Sequence, residues 1–272
     1  MRNIKLTAII ILYLLTQIAC FTAAVHAKTA VTIYGDDNYP PYSYMENGQQ
    51  RGIYYELLQV AVARMPDYAV TIKLVPWKRG LMLLESGQGF ALFPPYQLQA
   101  TRPYIEPYSV PFNEESVIVV CRNGIPQNKP DAVWPEDYRG LIFGTNMGFH
   151  MGLDSFWQEV KAGRITVDYS PGTTCNVKKL VEGRIDCYLN DRLAILFEYS
   201  REITPGPPTQ EDRQKLPFSF GPVVAKFSAH LGYNADNRLY PFKDDFVRKL
   251  DTILMDMEKQ GAMDRLIRKY LW

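Results

Sequence analysis

Histidine is nearly missing from this 272-residue chain, with three residues against 18 tyrosines, and cysteine is almost as sparse at four. So few imidazoles leave little from which to build a histidine metal centre. An excess of one charge is missing too: Lys plus Arg number 30 and Asp plus Glu 29. Phosphate contacts need a concentrated basic surface, so nucleic acid is not an expected partner. Beyond the first twenty residues no apolar run approaches the ~20 needed to span a bilayer. Internal repeats and low-complexity tracts are absent, and no nucleophile–base pair or metal cluster stands out. No cofactor is expected.

What is present begins with a leader. Arg2 and Lys5 precede an almost wholly apolar stretch, 6–19, and Val25-His26-Ala27 offers small residues at the −3 and −1 positions of a cleavage site. That is the layout of a secretory signal peptide, residues 1–27, with Lys28 the first mature residue. Cys20 follows Gln17-Ile18-Ala19, with glutamine where a lipoprotein leader has an aliphatic residue, so lipid anchoring is not expected. Loss of Arg2 and Lys5 leaves 28 basic residues against 29 acidic in the mature chain. The expected product is exported, soluble and monomeric. Cys121, Cys175 and Cys187 remain, of which two can pair in an oxidising compartment.

The most informative stretch is 34–58. A β-rich run, 30–34, ends in the turn Asp36-Asp37-Asn38-Tyr39-Pro40-Pro41-Tyr42, and an amphipathic helix opens at about Tyr54. Prolines fix φ, so they hold the Tyr39 and Tyr42 rings in a defined direction beyond the strand end. In open α/β sheets ligands bind off the carboxyl ends of strands, which places a pocket here. Leu57, Leu58, Ala61, Val62 and Met65 give that helix one apolar side. Further strands are expected over 70–75, 116–121, 141–145 and 185–189. Helices are expected over 78–85, 151–162, 177–182 and 192–199. Residues 204–209, Thr-Pro-Gly-Pro-Pro-Thr, read as loop. Two terminal helices, carried by Phe246 to Met257 and Met263 to Tyr270, are divided by Gly261. The class is α/β.

Six segments in order then resemble one family: Asp37 to Tyr44 with Gly52 and Leu57; Pro76-Trp77-Lys78-Arg79-Gly80-Leu81; Thr101-Arg102-Pro103-Tyr104 with Pro107-Tyr108; 141–148; 182–191; and 257–264 up to Tyr270-Leu271. The chain is similar to periplasmic solute-binding proteins of the polar amino-acid type, bacterial solute-binding protein family 3, which serve ABC importers. The resemblance implies a two-lobed periplasmic-binding-protein fold (type II), two mixed sheets flanked by helices with a hinge between lobes. It implies a discontinuous first lobe, 28–112 plus 226–272, and a second, 116–222. Crossings would fall near 111–115 and 221–226. It also implies a small-molecule ligand and an inner-membrane ABC permease as partners.

Carried over residue by residue, the resemblance gives Arg102 the ligand carboxylate, since a guanidinium fits a carboxylate bidentately. It gives Asp191 the α-ammonium, although an aspartate just before the helix at Arg192 also suits an N-cap. Asp36 would meet the polar end of the ligand. Tyr39, Tyr42, Tyr96 and Trp77 would wall the cleft, with Phe149 and His150 on the loop of the second lobe. Surface arginine, local tyrosine packing and a core tryptophan are the plain alternatives.

The chain departs from the family where donors are expected. Pro94 and Pro95 have no amide hydrogen, and Phe149-His150 replace the usual hydroxyls. The ligand is therefore expected to be larger, more apolar or not an α-amino acid. Three functions follow: a binding component for an importer; a ligand sensor acting through a separate partner, as no membrane helix follows the second lobe before Trp272; and a dehydratase of the cyclohexadienyl type, in which a cleft carboxylate serves as general acid. The first is expected, and the protein is not expected to be an enzyme. The expected disulfide joins Cys175, taken to precede the 177–182 helix, to Cys187 in the next strand, leaving Cys121 free.

Overall fold

The computed structural model describes residues 27–126, 128–149, 154–203 and 216–271. Residues 1–26 of the leader, Cys20 among them, His150 and the 204–209 loop lie outside them. The first sheet takes the order β5-β1-β6-β13-β7, with β1 (Thr29–Asp36), β5 (Tyr68–Val75), β6 (Ala91–Phe93), β7 (Ile105–Tyr108) and β13 (Gly232–Asn234). Strands β5, β1 and β6 run parallel, and β13 is antiparallel to its neighbours β6 and β7. Helix α1 (Ile53–Ala63) follows a small three-stranded sheet of β2 (Asn38–Tyr39), β3 (Ser43–Glu46) and β4 (Gln49–Arg51). Helix α2 (Trp77–Glu85) follows β5. The apolar side of α1, Leu57, Leu58 and Ala61, packs with Val31, Ile33, Phe90 and Phe93. Helix α6 (Lys243–Lys259) adds Phe246, Leu250 and Leu254 to that core, and α7 (Ala262–Leu271) follows it.

The second sheet has the order β10-β9-β11-β8-β12, with β8 (Asn113–Arg122), β9 (Ile142–Asn146), β10 (Thr166–Ser170), β11 (Cys187–Asp191) and β12 (Phe218–Ala229). Its helices are α3 (Asp154–Lys161), α4 (Thr173–Val181) and α5 (Arg192–Ile203). Strand β8 is apolar on both sides because both sides are covered. Val117, Val119 and Cys121 join Phe143 and Phe156 on one face, while Ile118 and Val120 join Val177, Leu180 and Ile195 on the other. Among the described residues no helix is long and apolar enough to cross a membrane.

The chain passes from the first sheet to the second between Tyr108 and Asn113, and returns between Ala229 and Gly232. The two passages lie side by side: Ser109 N–H donates to the Leu231 carbonyl at 2.8 Å and Phe112 N–H to that of Ala229 at 3.0 Å. Residues 221–226, near which the second crossing is expected, lie inside β12, at irregularities of register around Val223. Gly221 and Pro222 suggest a break, but β12 is the edge strand, where a proline without an N–H leaves no ladder bond unmade.

The disulfide differs from expectation. Cys121 is bonded to Cys187, and Cys175 is free. Side chains alternate along a strand, so Tyr188 faces α4 while Cys187 faces away from it, into the cluster that holds Cys121. Cys175 lies within α4, on the other side of the sheet. Cys121 and Cys187 are direct partners in the antiparallel β8–β11 pair. The next pair carries the ladder bond, Arg122 N–H to the Asp186 carbonyl, so 121/187 is a non-hydrogen-bonded pair, the type with closely spaced side chains.

Candidate functional site

Three parallel strands of the first sheet deliver side chains to one place. The end of β1 presents Asp36 and leads to Tyr39 on β2, the end of β5 leads to Trp77 at the start of α2, and the end of β6 leads to Pro94 and Tyr96. Arg102 comes from a turn in which the Thr101 and Arg102 N–H groups both donate to the Leu98 carbonyl. From the second sheet, the loop after β9 brings Phe149. These seven side chains line a cleft of ≈ 330 Å³, part of it open to solvent. Phe149 reaches across it, its ring 5.5 Å from Tyr39 and 6.2 Å from Trp77, edge-on to both. Gly148 turns that loop with φ near 80°, a conformation that favours glycine. Its carbonyl accepts from Arg102 at 3.4 Å.

Arg102 is the cleft's distinctive group. It is only 6% exposed, its guanidinium lies 5.5 Å from the Trp77 ring centroid, and it forms no ion pair with a carboxylate among the described residues. Burial lowers its pKa from the ordinary guanidinium value, yet an arginine stays charged in proteins. Asp36 is buried as well. One of its oxygens accepts from the Asn38 N–H at 2.9 Å, and burial, opposed by that bond and aided by the neighbouring Asp37, raises its pKa to about 7. The indole Nε1–H of Trp77 is buried with no partner among the described residues.

Behind the wall lies a second layer of polar groups. Glu115, fully buried on β8, accepts hydrogen bonds from Tyr54 at 2.7 Å, Tyr96 at 2.6 Å and Tyr39. Burial and then the charge of Asp191 raise its pKa to about 7, against the three tyrosine bonds. Asp191 accepts from Tyr42 at 2.8 Å, from Leu193 N–H at 2.8 Å, Ala194 N–H at 3.0 Å and Ser116 N–H at 3.2 Å. Bonds to the second and third helical N–H groups are those of an N-cap, so Asp191 caps α5. Tyr42 stacks on Tyr54 with centroids 4.5 Å apart. Burial holds the hydroxyls of Tyr39, Tyr42, Tyr54 and Tyr96 well above their usual pKa, which keeps them neutral donors. Gly52, at φ 123°, lets the Pro40-Pro41-Tyr42 turn close onto the start of α1, where Ile53 and Tyr54 N–H groups donate to the Pro41 and Tyr42 carbonyls.

Of the residues expected at a binding site, Asp36, Tyr39, Trp77, Tyr96, Arg102 and Phe149 are brought together around the cleft. Tyr42 and Asp191 are paired to each other behind it. His150 lies outside the described residues. Glu115 was not anticipated. The signal for it is its phase: Glu115, Val117, Val119 and Cys121 alternate on one face of β8, so an acid on that face has to be buried and hydrogen-bonded. Among the described residues no group of His, Cys, Asp and Glu is placed to hold a metal ion.

Two mixed sheets with flanking helices, joined by paired passages, with a largely aromatic cleft where their strand ends meet, define a two-lobed binding-protein fold of the periplasmic type II class. The chain belongs to the bacterial extracellular solute-binding proteins, family 3, whose profile matches residues 31–272. Among solved structures it is similar to a histidine kinase sensor domain that itself resembles periplasmic binding proteins. The TM-score is 0.69 at 18% identity, covering 90% of this chain and 96% of that one. A structure from work on glutathione import in Gram-positive bacteria via GshT and the cystine ABC importer TcyBC of Streptococcus mutans matches with TM-score 0.71 at 15% identity, covering 90% and 95%. The ancestral amino-acid-binding protein AncCDT-1, a precursor of cyclohexadienyl dehydratase, matches with TM-score 0.64 at 15% identity, covering 89% and 96%. Identities this low establish the fold alone. No curated protein matches the sequence significantly.

Proposed function

We propose that this protein is an exported solute-binding protein that captures a small ligand with an acidic group between its two lobes for delivery to an inner-membrane ABC permease. The observation that carries the reading is Arg102: a guanidinium buried in a cleft without a carboxylate partner awaits an anion from solution. The first sheet with α1, α2, α6 and α7 is one lobe, and the second sheet with α3, α4 and α5 is the other. The passages at 109–112 and 230–231 are the hinge, and Asp36, Tyr39, Trp77, Tyr96 and Phe149 line the site. The leader at 1–27 supplies export to the periplasm. Mass spectrometry of the small molecule that co-purifies with the protein, followed by calorimetric titration of wild type and Arg102→Gln, tests this. Wild type is expected to bind and the variant to lose roughly 30-fold or more, the usual consequence of removing one partner of a desolvated charge pair. Equal affinities would refute the assignment.

A second reading, ligand sensing through a separate partner, is supported by the likeness to the kinase sensor domain. It uses the same cleft and predicts the same binding result. It differs in the partner: binding to a membrane kinase rather than to a permease would favour it.

A further inference from the structure

Resting on the solute-binding reading above, we infer that Gly172 is a positioning residue for solute capture: the bare start of α4 is the surface on which Asn38 of the first lobe comes to rest when the lobes close. The contact has no room in it. Gly172 is buried, and a methyl group built on its Cα would lie 2.5 Å from Asn38 Cγ and 2.9 Å from Asn38 Oδ1, with Nδ2 nearer still. Non-bonded carbon atoms come to rest about 3.5–4.0 Å apart, so no side chain fits at position 172 while Asn38 stays where it is. Backbone shape does not call for glycine here: φ is −173° and ψ −175°, extended values that any residue adopts. Capping does not call for it either, since serine or aspartate serves the start of a helix as well or better. What glycine supplies is space, and the group that uses the space belongs to the other lobe.

Both sides of the contact are held in place. On the second lobe, Thr173 is fully buried, and its Oγ1 accepts from the side-chain amides of Asn146 at 3.2 Å and Asn190 at 3.1 Å. Those two asparagines come from the ends of β9 and β11, so the first turn of α4 is tied to the sheet. On the first lobe, Asn38 pairs with Tyr44 across the β2–β3 ribbon, and its N–H donates to Asp36 at 2.9 Å. A Cβ at position 172 therefore has two outlets: the Asn38 amide is forced out of its half-buried place, or the lobes stop short of closure. Neither residue belongs to the passages at 109–112 and 230–231, so opening about those passages parts them and removes the conflict. The penalty of a side chain at 172 falls on the closed state alone. A solute held by that state loses apparent affinity by the factor by which closure is disfavoured.

A double-variant cycle on the full mature chain tests this: Gly172→Ala, Asn38→Ala and the two together, with Gly172→Ser as a variant that gains a helix-capping hydroxyl along with its Cβ. The probe is the small-molecule fraction that wild type carries through purification, freed by unfolding and ultrafiltration; if wild type carries none, the small-molecule fraction of the periplasm of the producing cells takes its place. Binding is read as the dilution of that fraction giving half-saturation of the tryptophan fluorescence, and closure as the radius of gyration in small-angle scattering. Gly172→Ala and Gly172→Ser are expected to need roughly tenfold more of the fraction than wild type, one decade being ~1.4 kcal/mol, and to contract only at that higher level. Asn38→Ala keeps the backbone N–H to Asp36 and removes the atoms that a Cβ would strike. Alone it is expected to bind as wild type does, and combined with Gly172→Ala to restore binding to within roughly threefold. Unchanged binding by both Gly172 variants overturns the inference, as does a loss that Asn38→Ala fails to relieve, or an equal loss in Asn38→Ala alone. In each of those cases wild type still binds and the solute-binding reading stands. If wild type takes up nothing from either fraction, that reading falls and this inference with it.

Discussion

A buried guanidinium without a counter-charge works against folding, because desolvation is not repaid within the protein. Arg102→Gln is therefore expected to leave the unfolding temperature of the ligand-free protein unchanged or raised while binding is lost; a clear fall would mean that Arg102 is structural. Asp191 behaves in the opposite way. Asp191→Ala strips α5 of its cap and Tyr42 of its acceptor, so stability should fall by roughly 1–2 kcal/mol with a change in affinity below roughly tenfold. A large loss of affinity at unchanged stability would put a ligand cation on Asp191. Glu115 supplies a pH dependence. Its folded pKa, about 7, lies above the ordinary 4.5, so the folded state holds the extra proton between those values. Its stabilising contribution is present at low pH and is lost as pH rises through that window. Asp36 acts in the same direction. Glu159, held low by Arg164 and Arg139, loses its contribution only below the usual carboxylate range. Glu115→Gln should therefore show a smaller fall in unfolding temperature than wild type between about pH 5 and about pH 8, and equal slopes would contradict the assignment. Arg102 was legible because its neighbours Thr101 and Pro103-Tyr104 form a motif. The tyrosine clasp was not, because Tyr54 and Glu115 are 61 positions apart and only the tertiary fold joins them.

Elements with a strong local pattern could be read from sequence with little error. Helices α1, α2 and α6 show their apolar sides at helical spacing, and β8 is a β-branched run buried on both faces. The short strands β2, β4, β6 and β13 could not be read, since two or three residues carry no period and exist only by pairing. Strand β12 was hidden by Gly221 and Pro222, which an edge position tolerates. The disulfide failed for a related reason: sequence proximity favoured Cys175 and Cys187, whereas strand pairing sets Cys187 against Cys121, a separation of 66. Peptide mapping without reduction should find a 121–187 link and an alkylatable Cys175, and any link to Cys175 would refute the pairing. Closing a loop of that length stabilises by roughly 4 kcal/mol in the chain-entropy model, so the Cys121→Ala, Cys187→Ala double variant should unfold at a markedly lower temperature than wild type.

At the scale of the molecule, the elements of the two sheets meet through Phe149 and the Arg102–Gly148 bond at the cleft, and through the Tyr42–Asp191 bond and the three tyrosine bonds to Glu115 behind it. If the paired passages act as a hinge, ligand-free protein opens at the expense of these few contacts and ligand closes it, as in other hinged binding folds. Small-angle scattering should then give a smaller radius of gyration with solute bound than without it, and an unchanged radius at saturation would speak for a rigid pocket. The central claim, that an acidic solute sits between the lobes on Arg102, is tested most directly by a crystal structure of the protein saturated with its co-purifying solute. The account predicts the solute's acidic group within roughly 2.7–2.9 Å of the Arg102 guanidinium nitrogens, with its body between Trp77, Tyr39 and Phe149. A solute bound elsewhere, or bound in the cleft with Arg102 still unpaired, would contradict it.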